Sequence, residues 1–275
     1  MIICPICRKQ LKREEKRYIC ENNHTFDISK QGHGNLLLSN QKNSKNPGDN
    51  REMVQSRKNF LEKGNYSGIS DRVNETLERY VIGQERIDIL DIGCGEGYYT
   101  GRLKNFLDGK GIKNEITAID ISKEAVLAGA KSYKGINWLV ASATALPIED
   151  SSLDFILCMF AKIDPLEFQR TLKKGGKLII VSTGENHLEE MKEVVYESVK
   201  KDFYLPAEDE SLKIFHHVET LTHSYETEVE GKETIQDLFN MTPYRWRSPR
   251  EGIERLFALD KLKTKIEVTI DIFEK

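Results

Sequence analysis

The sequence predicts an α/β protein: a mostly parallel sheet with crossover helices, preceded by a small metal-held ribbon. Three observations carry that reading. Asp91-Ile-Gly-Cys-Gly-Glu-Gly97 follows a short apolar run, Arg86–Leu90, and precedes a stretch of helical period through Leu107. A second apolar run, Glu115–Ile119, ends in Asp120, about 20 residues past the glycines, where strand-end carboxylates bind ribose. Near the N-terminus, Cys4-Pro-Ile-Cys7 and Cys20-Glu-Asn-Asn-His24 have the spacing of paired metal ligands.

Composition sets the frame for these elements. A chain of 275 residues has room for one large domain and one small one. Apolar residues at 39% and charged residues at 31% suit a soluble globular protein, and no apolar run approaches the ~18 residues of a membrane span. Met1-Ile-Ile-Cys4 lacks the basic region and long apolar core of a secretory signal, so a cytoplasmic location is expected. The net charge of −3 is unevenly spread: Met1–Leu61 holds 12 Lys/Arg against 6 Asp/Glu, which leaves the remainder acidic. A basic N-terminal part on an acidic body points to a polyanionic partner.

Taken in order, residues 1–35 form the ribbon. Cys4 and Cys7 make one knuckle, Cys20 and His24 the other, and the charged stretch between them, with Tyr18-Ile19 leading into Cys20, predicts a short hairpin. About 35 residues bury too little apolar area to fold alone, so the metal supplies the stability, on the order of 10–16 kcal/mol at sites of this kind. Three cysteines and a histidine leave no open coordination position, which makes a zinc there structural. With the tetrahedron full, His33 in Gly32-His33-Gly34 is expected in a surface turn. Cys94 and Cys158 lie in the glycine loop and an apolar run and are read as packing residues, not nucleophiles.

Residues 36–80 read as a linker with helices. Asn40–Asn50 is polar around the turn Pro47-Gly48-Asp49 and suggests a flexible link or a loop ordered by substrate. Arg51–Lys63 has helical period, with Arg57 and Lys58 available to RNA phosphates or to solvent, and Ile69–Tyr80 gives a second helix.

The remainder, 81–275, is the larger domain. Glycines 93, 95 and 97 stand where a strand turns into a helix, and their lack of Cβ lets backbone approach a ligand beside the helix N-terminus. The spacing G-x-G-x-G departs from the dinucleotide fingerprint G-x-G-x-x-G, which favours a nucleoside pocket over a pyrophosphate site. Lys123–Ser132 is a crossover helix, Asn137–Val140 and Leu153–Met159 are the next strands, and Gly175-Gly176 leads into Lys177–Ser182. Ligands gather outside the carboxyl ends of such strands, so His187, in the loop Thr183–His187, lies near the pocket by topology. Leu188–Asp202 reads as a charged helix and Lys213–Val229 as extended chain; Ile266–Phe273 alternates as an antiparallel strand.

Asp91–Gly97 followed by Asp120 resembles the class I S-adenosylmethionine-dependent methyltransferases, over Ile87–Lys275. That resemblance implies a seven-stranded Rossmann-like sheet. Further stretches run from one end of the chain to the other: Cys4–Cys7 with Cys20–His24, Phe26-Asp-Ile-Ser-Lys30 with Asn35-Leu-Leu37, Pro47–Met53, Phe60–Tyr66, Asp91–Thr100 and Met241–Arg247. With these the whole chain resembles the zinc-ribbon 23S ribosomal RNA (guanine-N1)-methyltransferases of the RlmA type. The likeness implies zinc on Cys4, Cys7, Cys20 and His24, and cofactor contacts at Tyr66, Gly95, Glu96 and His187; Gly93 and Asp120 join them from the general logic of the fold. It also implies 23S ribosomal RNA as partner and in some members macrolide resistance; from the sequence alone no membrane partner is expected and a homodimer is left open.

Two departures qualify the likeness to methyltransferases at large. The loop Ala141–Pro147 offers Ser142 and Thr144 where a carboxylate commonly holds adenine. The strand tip Met159–Asp164 lacks the Asn-Pro-Pro-Tyr of many amino-directed enzymes, which argues against adenine N6 chemistry. Methyl transfer to guanine N1 needs alignment, an unpaired base and loss of the N1 proton. Asp154 and Asp164 are the carboxylates near the tip, but no catalytic residue is assigned. Tyr244 and Trp246 are open between stacking on a flipped base and packing, with core packing preferred for Trp246. The competing functions are a small-molecule methyltransferase, its ribbon a dimer contact, and a non-catalytic zinc-ribbon RNA-binding protein.

Overall fold

The computed structural model describes residues 2–42, 44, 47–81, 83–199 and 203–275. The chain opens with a three-stranded antiparallel sheet, β1 (Leu11–Arg13), β2 (Arg17–Cys20) and β3 (Thr25–Asp27), which contains the expected hairpin. A two-residue strand β4 (Gly34–Asn35) leads away from it to α1 (Arg51–Glu62) and α2 (Ser67–Glu78). Alternation of strand and helix follows: β5 (Arg86–Ile92), α3 (Tyr98–Gly109), β6 (Lys113–Asp120), α4 (Lys123–Ser132), β7 (Ile136–Val140), β8 (Leu153–Met159), α5 (Pro165–Thr171) and β9 (Leu172–Thr183). The last part holds α6 (Glu189–Val195), β10 (His216–Glu230), α7 (Lys232–Asn240), α8 (Arg250–Phe257) and β11 (Lys261–Glu274). Three of the helices, α1, α4 and α5, start where a side chain takes up a free backbone N–H group. Asn50 accepts from the Met53 amide at α1, Ser122 from Ala125 at α4, and Asp164 from Glu167 at α5.

The main sheet runs β10-β11-β9-β8-β5-β6-β7-β4. Its centre is parallel, and β11 pairs antiparallel with both β9 and β10. The sheet has eight strands, one more than the seven expected. The extra strand is β4, which leaves the ribbon and pairs parallel with β7 (Gly34 opposite Leu139). Only glycine fits this joint, since a Cβ on Gly34 would stand 2.8 Å from the Tyr18 ring and 3.2 Å from the Leu139 side chain.

Because side chains alternate across a strand, the sheet builds two cores. Ile87, Ile89, Phe155, Leu157, Ile179 and Val181 face one side, under α1 to α4 and α6 to α8. Leu90, Ile92, Ile156, Leu178 and Ile180 face the other, under α5, the segment around Leu212 and Phe215, the ribbon's Cys4, Leu11, Tyr18 and Cys20, and Leu36 just after it. The ribbon is thus part of the second layer, not an outlying appendage.

Other expectations change as well. His33 is buried, its Nδ1 2.7 Å from the Ser29 hydroxyl, because the ribbon's exit folds against the sheet edge. The predicted helix Leu188–Asp202 shortens to α6. Arg255 of α8 donates to the carbonyls of Val194 (3.1 Å) and Val195 (3.4 Å) and closes the helix there. The end of that prediction, 200–202, and part of Asn40–Asn50 lie outside the described residues. Among the described residues no helix is long and apolar enough to cross a membrane.

Candidate active site and metal centre

The ribbon brings its four ligands together through two tight turns. Arg8 and Asn23 take left-handed backbone (φ 60° and 61°), closed by Arg8 N–H to Cys4 O (2.8 Å) and Asn23 N–H to Cys20 O (2.9 Å). The donor atoms of Cys4, Cys7, Cys20 and His24 all fall within 4.8 Å of one another. Cys4 Sγ and Cys20 Sγ each lie 3.5 Å from His24 Nδ1, and Cys7 Sγ lies 3.7 Å from Cys20 Sγ. A tetrahedron with Zn–S near 2.3 Å and Zn–N near 2.0 Å has edges of about 3.5–3.8 Å, so these three distances already match a zinc site.

A cleft of about 750 Å³ opens at the carboxyl ends of β5, β6, β7 and β8. Gly93, Gly95, Glu96 and Asp120 all line it. The glycine loop is held in place by Ile119 O, which accepts from the amides of Gly93 (2.9 Å) and Cys94 (3.0 Å). Gly93 and Gly97 have positive φ and no room: a Cβ on Gly93 would meet Ala161 Cβ at 2.4 Å, and one on Gly97 would meet the Trp138 ring at 2.4 Å. Asp120 is fixed by the loop it faces, accepting from Gly95 N–H (3.0 Å) and Ser122 N–H (2.8 Å).

Asp91 is buried and accepts from the Thr100 hydroxyl; burial pushes its carboxyl up to about 6. Burial likewise lifts Glu96 to about 7, against the pull of the Arg57 charge, and Glu96 Oε2 has no hydrogen-bond partner among the described residues. The cleft therefore offers carboxylates that a cationic ligand would ionise. At the far end Ser142 and Thr144 hydroxyls lie 2.9 Å apart and share the lining.

Tyr66 and His187 are brought together, 120 residues and more apart in sequence, but away from that lining. Tyr66 Oη is 3.2 Å from His187 Nε2, and both residues are buried. His187 Nδ1 accepts from the Glu267 amide (3.2 Å), which leaves the neutral ring's proton on Nε2, facing Tyr66. Burial pushes the imidazole down to about 4, so it stays neutral near pH 7. The pair ties the start of α2 to the loop after β9.

Several lining residues escaped the sequence reading. Arg57 does not stand out towards RNA: it turns into the cleft, pairs with Asp49 and donates to Met241 O (3.3 Å). Lys58 is likewise engaged, with the Ser132 hydroxyl (3.3 Å) and Glu62 (3.6 Å). The linker comes back over the cleft, where Ser122 Oγ donates to Asp49 O (2.6 Å). Pro47-Gly48-Asp49 was the available signal, but a turn motif does not say what the turn rests on. Phe160 and Lys162 line the cleft from the tip of β8. Asp164 and Asp154 do not: Asp164 caps α5, and Asp154 is held by Lys173 (2.8 Å) and the Asp88 amide (2.8 Å). Trp246 is 64% exposed, against the expectation of core packing, because Arg245 lies over its ring at 4.7 Å and takes the packing position toward Glu52. Cys94 and Cys158 are buried, as packing residues would be.

Comparison with known proteins gives two domain matches. The model described as "RlmA, N-terminal", a zinc ribbon, covers residues 2–45, and "Methyltransferase domain" covers 89–177. The chain is 29% identical over 280 residues to a Bacillus subtilis (strain 168) protein named "Putative 23S rRNA (guanine-N(1)-)-methyltransferase YxjB", across 99% of this chain and 95% of that one. It is 33% identical over 190 residues to the 23S rRNA (guanine(748)-N(1))-methyltransferase of Streptomyces fradiae, across 68% of this chain and 65% of the relative. A Micromonospora griseorubida relative with the same description as the first is 26% identical over 94% of this chain and 91% of its own.

Proposed function

The chain belongs to the zinc-ribbon 23S rRNA (guanine-N1)-methyltransferase family, and from that premise we propose that it methylates N1 of a guanine in 23S ribosomal RNA. The observation that carries the reading is the union in one chain of a fitted Cys3His centre and a cleft with nucleoside-type carboxylates at the strand ends. S-adenosylmethionine, when bound, supplies the methyl group on a cationic sulfur. In this reading Asp120 holds its ribose hydroxyls, Asp91 and Glu96 favour its positive charges, and the Ser142 and Thr144 hydroxyls serve its base. Gly93 and Gly95 let backbone approach it, and the hydrogen-bonded pair Tyr66 and His187 is proposed as a further cofactor contact. Zinc on Cys4, Cys7, Cys20 and His24 is structural and shapes the basic ribbon. The division into ribbon (1–35), linker with helices (36–80) and catalytic domain (81–275) is part of the same proposal.

The finer features extend it: action in the cytoplasm, an effect on macrolide sensitivity, and assembly as a homodimer, the last readable by sedimentation. Nucleoside mass spectrometry of 23S RNA incubated with protein and S-adenosylmethionine tests the activity. N1-methylguanosine is the expected product; a product at cytosine, at ribose or at no RNA residue overturns it. A small-molecule methyltransferase would leave RNA unmodified. A non-catalytic RNA-binding protein would bind RNA with steep salt dependence yet gain no thermal stability from S-adenosylmethionine.

A further inference from the structure

Guanine N1 carries a proton that has to leave, and among the described residues the cleft places no carboxylate where the acceptor base must lie. The carboxylates that line it among the described residues, Asp49, Asp91, Glu96 and Asp120, belong to the linker, the end of β5, the glycine loop and the end of β6. The nucleoside end of the cleft is the Asp120 and Ser142–Thr144 end. The methyl-bearing end therefore points to the opposite wall, where Gly93 abuts Ala161 and the tip of β8 exposes Phe160 and Lys162.

Both side chains are presented in an unusual way. Phe160 has left-handed backbone (φ 53°), rare for a bulky side chain, and its amide is held by Val181 O (2.9 Å). Phe160 is 45% exposed and its ring centroid lies 6.4 Å from that of Tyr99, so it is part of the cleft surface and not a core contact. Lys162 is exposed, and among the described residues it forms no ion pair. Groups near it on its own segment are committed elsewhere: the Cys158 thiol donates to Lys162 O (3.8 Å), Asp164 caps α5, and Glu167 pairs with Arg170 (2.8 Å). Across the cleft it faces Asp91, Glu96, Asp120, the Asp49–Arg57 pair and Tyr99.

We propose that Phe160 stacks on the target guanine and that the Lys162 ammonium hydrogen-bonds its O6, so that the N1 proton leaves to water without a protein carboxylate as base. The inference rests on the guanine-N1 reading above. The N1–H bond breaks and its proton goes to water. The pair left on N1, delocalised towards O6 and steadied there by Lys162, forms the bond to the methyl carbon, and the bond to the donor's sulfur breaks with its pair on sulfur. A cation placed where negative charge develops acts on that step alone, and base stacking on an aromatic ring is tolerant of surrounding sequence.

The test uses the full-length zinc-loaded protein, an RNA hairpin substrate, and the variants K162Q, K162R, F160A and F160Y. Single-turnover methylation is followed from pH 6 to 9, S-adenosylmethionine binding by calorimetry, and base capture by quenching of 2-aminopurine placed at the target. K162Q should lose about 100-fold at pH 7, with the deficit shrinking as pH rises towards that at which free guanine ionises, while K162R keeps most of the rate. F160A should abolish the quench and F160Y retain it, and all four should bind the cofactor as the parent does. A K162Q rate equal to the parent's at every pH, a deficit independent of pH, loss of cofactor binding, or an F160A that still quenches would overturn the proposal. If the parent itself yields no N1-methylguanosine, the guanine-N1 reading falls; if it does and the variants match it, only this inference falls.

Discussion

The ribbon and the glycine loop both hold a short irregular backbone rigid, by opposite means. In the ribbon, left-handed Arg8 and Asn23 are kept in their turns by four ligands that a metal draws together. In the loop, Gly93 and Gly97 are kept in theirs by packing so close that Ala161 and Trp138 leave no space for a methyl group. One is rigid through coordination, the other through the sheet core behind it. They are nonetheless joined, since Leu11 and Tyr18 of the ribbon share a buried cluster with Leu90 and Ile92 of β5, the strand that feeds the loop. Removing the ribbon's order should therefore cost the sheet stability as well as disturbing the surface proposed to meet RNA.

The largest effect is expected from the metal. Chelating zinc, or Cys20→Ser, should unfold the ribbon, weaken RNA binding and lower Tm by about 10 °C or more, since several kcal/mol of folding energy reside in such centres. Melting curves with and without chelator check it. An unchanged Tm would separate the two regions that the shared cluster joins. Next comes the loop: Gly93→Ala should cost about 2–4 kcal/mol, from a positive φ and a collision with Ala161, and should abolish cofactor binding in calorimetry while the ribbon keeps its zinc. Loss of zinc in that variant would show that the coupling runs both ways.

Gly34→Ala probes the joint itself. Its Cβ would press on the buried Tyr18 ring, for an expected cost of about 1–3 kcal/mol, with denaturant unfolding as the measurement and no change in zinc content. The smallest effect is the proton linkage of the cleft. Asp91 and Glu96, lifted to about 6 and about 7, are partly protonated in the free protein. A cationic cofactor needs them ionised, so its affinity should level off only about a unit above the Glu96 value and fall as pH drops, by up to about tenfold per unit for each group. In the free protein these raised carboxyls lower stability as pH rises through about 4 to 7. His187, depressed to about 4, works the other way and lowers stability as pH falls below about 6.5. Calorimetry across pH 5–8 reads the first effect, and a flat affinity would mean that Asp91 and Glu96 do not face the cofactor's charge.

Local chemistry was legible wherever neighbours in sequence act together. The knuckles at Cys4–Cys7 and Cys20–His24, the glycine loop, and the strand end at Asp120 are each a few residues long, and their spacing states their purpose. The pattern of strands β5 to β9 was readable for the same reason: buried parallel strands are short apolar runs between turn residues. Arg57 was misread because a cation on an amphipathic helix looks the same whether it faces solvent or a cleft, and only Asp49 and Met241 decide which. Trp246 was misread because an aromatic side chain is usually buried, and nothing local told that Arg245 would occupy the packing position instead.

By itself the sequence determined the ligand set of the metal centre, the glycine loop with the strand end at Asp120, and the succession of strands and helices along the chain from β5 to β9, since periodicity, turn chemistry and ligand spacing act over a few residues. Only the tertiary structure decided that β4 would extend the sheet, that the ribbon would cover its second face, and that Tyr66 would meet His187. Those outcomes depend on which apolar surfaces remain uncovered after the local elements form. That is a property of the assembled chain, because burial rewards whichever contact removes the most surface from water, whatever its separation in sequence.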